Sequence, residues 1–236
     1  MPAAFLTTAI LDVDGVLLSS PHEQAWREAL VGICDPARFT AEMYRTTVAG
    51  KPRLDGAFAA LRALDVPQAG ARAETYAIRK QARLEALIRA GRVAPFPDAV
   101  RFAEALKARG IRMAVASSSR NATAMMGSIR LEEGRSLLDL FDVDVSGREV
   151  AHGKPAPDIF LLAATVLHAR AADCFVVEDS PAGITAARAA GMQALGVARR
   201  GKADALVLAG ATLVVADLDE IDVTSLVDGR LMRMAR

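Results

Sequence analysis

Four short clusters hold the residue types that do chemistry. Asp12-Val13-Asp14-Gly15 sets two carboxylates at i and i+2. Such a pair repels itself unless a cation or a shared proton is present. All-oxygen donors of this kind suit Mg²⁺. A calcium loop with Gly15 at its sixth position would start at Ile10, which excludes an EF-hand. Ser117-Ser118-Ser119-Arg120-Asn121 gathers hydroxyls and backbone N–H groups ahead of a helix. It reads either as an anion site or as an ordinary helix cap. Gly153-Lys154-Pro155-Ala156-Pro157-Asp158 holds a lysine on stiff, proline-framed backbone. That lysine could grip a phosphoryl oxygen, neutralise a carboxylate, or sit in solvent. It is not a P-loop lysine, because the glycine spacing is wrong and Pro155 follows it. Glu178-Asp179-Ser180-Pro181 adds two carboxylates that could ligate a metal or cap a helix.

The elements that must position these clusters share one layout. Thr8–Leu11 is an apolar run that stops at Asp12. Residues 111–116 end in the serines, 174–177 in Glu178-Asp179-Ser180, 194–198 in Arg199-Arg200-Gly201, and 213–216 in Asp217. Helical stretches open at Pro97-Asp98 (closed by Gly110), at Asn121, at Pro157-Asp158 (through His168), and at Pro181 (closed by Gly191). Buried strands alternating with helices predict an α/β fold with a doubly wound parallel sheet. In such sheets the ligand crevice lies at the carboxyl ends of the strands, where every cluster falls. Carboxylates for a metal, donors for an anion and a lysine between them describe phosphoryl transfer.

One region breaks the alternation. From His22 to Arg92 no strand is evident, and helical periodicity runs through 24–30, 58–64 and 76–88. This predicts a small all-helical domain, residues 21–92, inserted into a core formed by 1–20 and 93–236, with hinges near 18–21 and 92–97. Composition fits a folded soluble chain: 52% hydrophobic, 24% charged, net charge +1. Near-zero charge gives no reason to expect nucleic acid or an anionic membrane. Cys34 and Cys174 lie in no metal or redox spacing and read as reduced thiols. The opening Met1-Pro2-Ala3-Ala4 has no basic leader, and the longest apolar run elsewhere, 205–216, falls short of the about 20 residues of a membrane span. The expectation is a cytoplasmic protein, monomeric or weakly dimeric, whose partner is a small phosphorylated metabolite.

Taken together, the clusters resemble the motifs of the haloacid dehalogenase superfamily, in order and across nearly the whole chain. Asp12-Val13-Asp14-Gly15-Val16-Leu17 looks like the first motif, Ser117 the second, Lys154 the third and Glu178-Asp179 the fourth. Residues 154–160 and 178–184, with the helical insert, resemble the subgroup of β-phosphoglucomutases and sugar-phosphate phosphatases. The resemblance implies a Rossmann-like core and a cap, with Asp12 as the nucleophile that forms an aspartyl-phosphate and Asp14 as the general acid/base. It implies Mg²⁺ held by Asp12, the Asp14 carbonyl and Asp179, with Glu178 near or in the shell. Ser117 and Lys154 would hold the phosphoryl, with Ser118 and Asn121 beside them. Asp14 argues against the dehalogenase branch, which lacks a second aspartate.

The insert carries its own resemblance. His22-Glu23-Gln24-Ala25-Trp26 is similar to the start of a mutase cap, and Gly50-Lys51-Pro52-Arg53 to its substrate loop. This implies substrate contacts from His22, Lys51 and Arg53, with Lys80 as a further candidate. The hinge Ser19-Ser20-Pro21 and the Lys51-Pro52 pair depart from the mutase pattern. Phosphomonoester hydrolysis is therefore the first expectation and β-phosphoglucomutase activity the second. A phosphosugar-binding protein without activity is a distant third, since every catalytic residue type is present.

Overall fold

The computed structural model describes residues 5–49, 51–199, 201 and 203–235. Gly50 of the cap loop, Arg200, and Met1 to Ala4 of the leader reading lie outside the described residues. Strand β1 (Thr8–Leu11) and the short β2 (Leu18–Ser19) are followed by α1 (His22–Glu28), α2 (Ala41–Met43), α3 (Arg53–Ala63) and α4 (Ala69–Arg89). Then come β3 (Ala94–Pro95), α5 (Pro97–Ala108), β4 (Arg112–Val115), α6 (Ala122–Ser128) and β5 (Val143–Asp144). The chain ends with α7 (Asp158–Val166), β6 (Cys174–Glu178), α8 (Pro181–Ala189), β7 (Gln193–Val197), α9 (Ala203–Leu208) and β8 (Leu213–Val215).

The chain packs as two units, residues 1–19 with 94–236, and residues 20–93. In the first, six strands form a parallel sheet in the order β5-β4-β1-β6-β7-β8. Every residue of β1 and β6 is buried, as central parallel strands covered on both faces must be. From β1 the chain winds toward β4 and β5, then returns to β6 and winds the other way. The switch point thus lies between β1 and β6. Ile10, Ala114, Val176 and Ala194 from the sheet pack with Phe160 of α7, Ile184 of α8 and Leu206 of α9. Each fully buried large side chain there contributes about 1.5–3 kcal/mol.

Strands β2 and β3 and helix α9 are additions to the sequence expectation, and two further elements differ from it. Strand β5 is only two residues long, too short for alternation to show, and it pairs with β4 at the sheet edge. Helix α7 ends at Val166 rather than His168. His168 takes φ +52°, and Ala169 N donates to Ala164 O at 2.9 Å, so His168 is the left-handed residue that ends the helix. Helices α5 and α8 stop before Gly110 and Gly191 as read.

The second unit contains no strand among its described residues. Trp26, Phe39, Leu61, Leu64 and Tyr76 form its apolar centre. The rings of Trp26 and Tyr76 lie 5.2 Å apart at 58°, and the Tyr76 hydroxyl donates to Trp26 O at 2.8 Å. Among the described residues no helix is long and apolar enough to cross a membrane.

Candidate active site

Register brings the first and fourth clusters together. Leu11 pairs with both Val115 of β4 and Val177 of β6, which sets Asp12 level with Ala116 and Glu178. Asp12 N donates to Val177 O at 3.0 Å, so the residue stays in the sheet while its carboxylate stands at the strand's end. It is 7% exposed and Glu178 is 1% exposed.

Lys154 joins these two carboxylates. Its Nζ donates to Asp12 Oδ1 at 2.6 Å and to Glu178 Oε1 at 2.5 Å, and it lies 4.9 Å from the centre of the Phe160 ring. Burial alone would drive the ammonium toward neutrality, but Asp12 and Glu178 prevail and hold its pKa above the ordinary lysine range. Burial pushes the Asp12 carboxyl well above the usual range; Lys154 pulls it down, and Glu178 and Asp14 push it further up.

Glu178 is held on its other side by the backbone. Its Oε2 accepts from Asp179 N and Ser180 N at 3.0 Å each and from Ser180 Oγ at 2.9 Å. Ser180 in turn caps α8, accepting from Gly183 N at 3.1 Å. Glu178, expected near or in a metal shell, therefore has both oxygens engaged in hydrogen bonds within the protein. A side chain at Gly183 would collide with it, since a Cβ there would lie 1.9 Å from Glu178 Cδ.

The loop after β1 closes tightly. Gly15 N donates to Leu18 O at 2.8 Å, and Gly15 has φ +87°. A Cβ on Gly15 would lie 2.2 Å from Asp179 Oδ2, so the Asp179 carboxylate rests against the backbone that follows Asp14. Among the described residues no three His, Cys, Asp or Glu side chains form a metal cage. Asp12 and Asp179 carry carboxylates and the loop carries carbonyls, oxygen donors of the kind that suits Mg²⁺, which keeps waters and takes further oxygens from its substrate.

Ser117 ends β4 and is buried. Its Oγ accepts from Ser119 N at 3.1 Å, which leaves the hydroxyl proton to donate elsewhere. Its backbone is fixed by Ser146 Oγ, which accepts from Ser117 N at 3.3 Å, and by Gly147 N, which donates to Ser117 O at 2.9 Å. Ser118 is exposed and Asn121 half-buried at the start of α6. Ser119 Oγ accepts from Asn121 N at 3.3 Å, so these hydroxyls also serve as turn caps.

In the helical unit, His22 opens α1 and its Nδ1 lies 2.9 Å from Lys80 Nζ. Lys80 Nζ also lies 5.0 Å from the centre of the Trp26 ring. Arg53 is the first residue of α3, and both it and Lys51 are exposed.

Sequence reasoning missed three side chains. Arg199, just beyond β7, is in sequence only one of a strand-end cluster, yet it bonds the loop after Asp14. Asp98, read only as a helix opener, pairs with it. Ser146 carries no motif at all. A buried charge is the one signal that could have marked the first two, and sequence does not show burial.

Comparison with known proteins follows the same lines. The family of haloacid dehalogenase-like hydrolases matches residues 6–191. A β-phosphoglucomutase of Mycobacterium bovis is 33% identical over 237 residues, 90% of each chain. A probable pseudouridine-5'-phosphatase of Drosophila melanogaster is 34% identical over 194 residues, 80% of each chain. The crystal structure of an archaeal β-phosphoglucomutase from Pyrococcus sp. ST 04 superposes with a TM-score of 0.74 at 31% identity, covering 94% of this chain and 99% of that one. This chain belongs to the haloacid dehalogenase-like hydrolase family.

Proposed function

We propose that the protein is a Mg²⁺-dependent phosphatase of small phosphorylated sugars that works through an aspartyl-phosphate on Asp12. The observation that carries this reading is the buried Asp12–Lys154–Glu178 chain, with Lys154 Nζ 2.6 Å from the would-be nucleophile. On this reading the Asp12 carboxylate attacks phosphorus, and the bond from phosphorus to the ester oxygen breaks. Asp14 gives its proton to that leaving oxygen. Asp14 then takes a proton from water, whose oxygen attacks phosphorus, and phosphate leaves with Asp12 restored. Ser117 donates its hydroxyl proton, and Lys154 its ammonium protons, to the phosphoryl oxygens. Mg²⁺, held by Asp12, the Asp14 carbonyl and Asp179, would supply charge neutralisation for those oxygens when bound. The fit of that oxygen donor set supports the metal assignment.

Phosphatase and mutase relatives are both present, and the two reactions differ only in whether water or a sugar hydroxyl accepts the phosphoryl. The mutase reading is favoured by Lys51 and Arg53 at the start of α3, a forked donor suited to a second phosphate. The helical unit would then select the substrate, with His22 contributing. A panel of sugar phosphates, assayed for phosphate release, tests the first reading. Release should need Mg²⁺, stop in EDTA, vanish in Asp12→Asn and fall by about 10²–10⁴ in Asp14→Asn. β-Glucose 1-phosphate with a trace of glucose 1,6-bisphosphate tests the second. Fast glucose 6-phosphate formation with little free phosphate would replace phosphatase by mutase. Wild-type turnover in Asp12→Asn would overturn both.

A further inference from the structure

Among the described residues, Arg199, two positions beyond β7, is a charged side chain outside the four clusters that makes three hydrogen bonds. Its Nη1 donates to Asp98 Oδ2 at 2.7 Å, its Nε to Gly15 O at 3.2 Å and its Nη2 to Val16 O at 3.1 Å. The guanidinium carbon lies 4.0 Å from the centre of the Phe96 ring. The side chains of Arg199 and Asp98 are 13% and 5% exposed. Asp98 is itself fixed, accepting from Leu218 N at 2.8 Å.

The two carbonyls that Arg199 holds belong to the residues directly after Asp14. Within this loop Gly15 N bonds Leu18 O, and the N–H groups of Leu17 and Leu18 both bond Val13 O at 2.9 Å. The carbonyls of Gly15 and Val16 accept none of these bonds, and a carbonyl away from water needs a donor. One planar guanidinium reaches both while its third nitrogen bonds Asp98; a lysine, with one nitrogen, cannot span that set. Phe96, on which the guanidinium stacks, is tied to the same loop, since Phe96 N donates to Leu17 O at 2.9 Å.

We propose that Arg199 is a positioning residue for the reaction: it fixes the peptide planes at 15–16 and so sets where the Asp14 carboxyl group and carbonyl point. It touches neither Asp12 nor Lys154 in any hydrogen bond, so its influence runs through the loop backbone alone. Asp98 supplies the counter-charge that keeps the guanidinium buried, and Leu218 N anchors Asp98 to the chain beyond β8. The residue acts on the phosphoryl-transfer reading given above and rests on it.

The test compares Arg199→Met, Arg199→Lys and Asp98→Asn, each with p-nitrophenyl phosphate in excess Mg²⁺, and with hydrogen exchange of residues 13–18. Loop displacement of about 1 Å costs up to 10²-fold. In Arg199→Met, kcat per folded enzyme should therefore fall about 10- to 100-fold, with KM within about twofold and faster exchange in 13–18. Arg199→Lys should recover part of kcat, since it can still reach one carbonyl. Asp98→Asn should lose less than Arg199→Met. A residue that served stability alone would lower the melting temperature and leave kcat per folded molecule unchanged, and that result overturns the proposal. Should Arg199→Met fail to fold, Arg199→Lys decides on the same criteria. If the wild type hydrolyses no phosphate ester, the phosphatase reading falls. Exchange in 13–18 then decides, and equal protection in wild type and Arg199→Lys overturns the role of Arg199.

Discussion

Replacing Lys154 by Met removes one positive charge from between two buried carboxylates and keeps an unbranched stem against Phe160. In the wild type the ammonium lies 2.6 Å from Asp12 and 2.5 Å from Glu178, with 9% of its side chain exposed. At an effective dielectric of about 20, each contact carries roughly 6 kcal/mol of gross attraction. Desolvation of the ammonium cancels much of this, and loss of one partner from a buried pair leaves a net cost of about 3–5 kcal/mol. For a chain of this size that is a melting temperature lower by about 6–20 °C. The deficit has a sign in pH. Asp12 already titrates above the usual range because it is buried, and without Lys154 only Glu178 and Asp14 remain to push it higher. A carboxyl raised in the folded state stabilises the fold below its unfolded value of about 4 and loses that contribution as pH rises through the folded value. Lys154 itself is held above the lysine range, so it stays charged at both pH values and keeps Asp12 lower than in the variant. Melts of both proteins in EDTA at pH 5 and pH 8 should therefore show the larger gap at pH 8. Turnover in excess Mg²⁺ should fall by about 10²–10³. A gap under about 2 °C at pH 8, or a larger gap at pH 5, would refute the reasoning.

Gly183→Ala should force Glu178 off its bonds, because the new Cβ would lie 1.9 Å from Glu178 Cδ. We expect a loss of about 1–3 kcal/mol in urea unfolding with reduced kcat. Gly127→Ala in α6, where a Cβ meets nothing within 4 Å, should instead gain about 0.4–1 kcal/mol. Asp98→Asn tests a pH dependence set by a carboxyl that is lowered, where Lys154→Met tests one that is raised. Burial pushes the Asp98 carboxyl up, but the bonds from Arg199 and Leu218 N hold it below the usual range. A lowered carboxyl contributes stability above its unfolded value of about 4 and loses it as pH falls through the folded one. The melting gap between wild type and Asp98→Asn should be widest near neutrality and close below about pH 4; a constant gap would contradict the pairing.

The positions of Asp12, Ser117 and Glu178 were legible because each ends an apolar run, and an apolar run that stops at a polar residue is a strand end. What those residues do to one another was not. Lys154 sits in a stretch without periodicity, and nothing in Gly153-Lys154-Pro155 tells whether its ammonium meets Asp12, Glu178 or water. Only the register Leu11 with Val177 sets Asp12 level with Glu178 and makes one lysine serve both. The same limit hid Gly183, whose missing side chain is needed by a residue five positions earlier across a turn. Strand β5 was invisible because two residues cannot alternate. Packing divides the chain at 19/20 and 93/94, against 20/21 and 92/93 from the loss of strand patterning. Arg199 and Asp98 were read as a strand-end cation and a helix opener, since a polar residue at an element boundary looks the same whether buried or solvated.

The charge arrangement explains why an extra cation belongs to the proposed reaction. Asp12, Asp14, Asp179 and Glu178 gather at neighbouring strand ends, and Lys154 is the ammonium bonded among them. That ammonium is already shared, with Glu178 taking one of its protons and Asp12 another. The second oxygen of Glu178 accepts from Asp179 N, Ser180 N and Ser180 Oγ. It therefore works as a fixed anchor that aims the ammonium at Asp12 and at whatever Asp12 attacks. A phosphate dianion entering beside Asp12 meets one aimed cation and more than one carboxylate, so the balance remains unfavourable. A divalent ion, which the proposed reaction places with Asp12, the Asp14 carbonyl and Asp179, would reverse that balance. The lysine orients and the metal would neutralise; each task leaves the other undone, so loss of either should sharply lower turnover even though both are positive charges in one crevice.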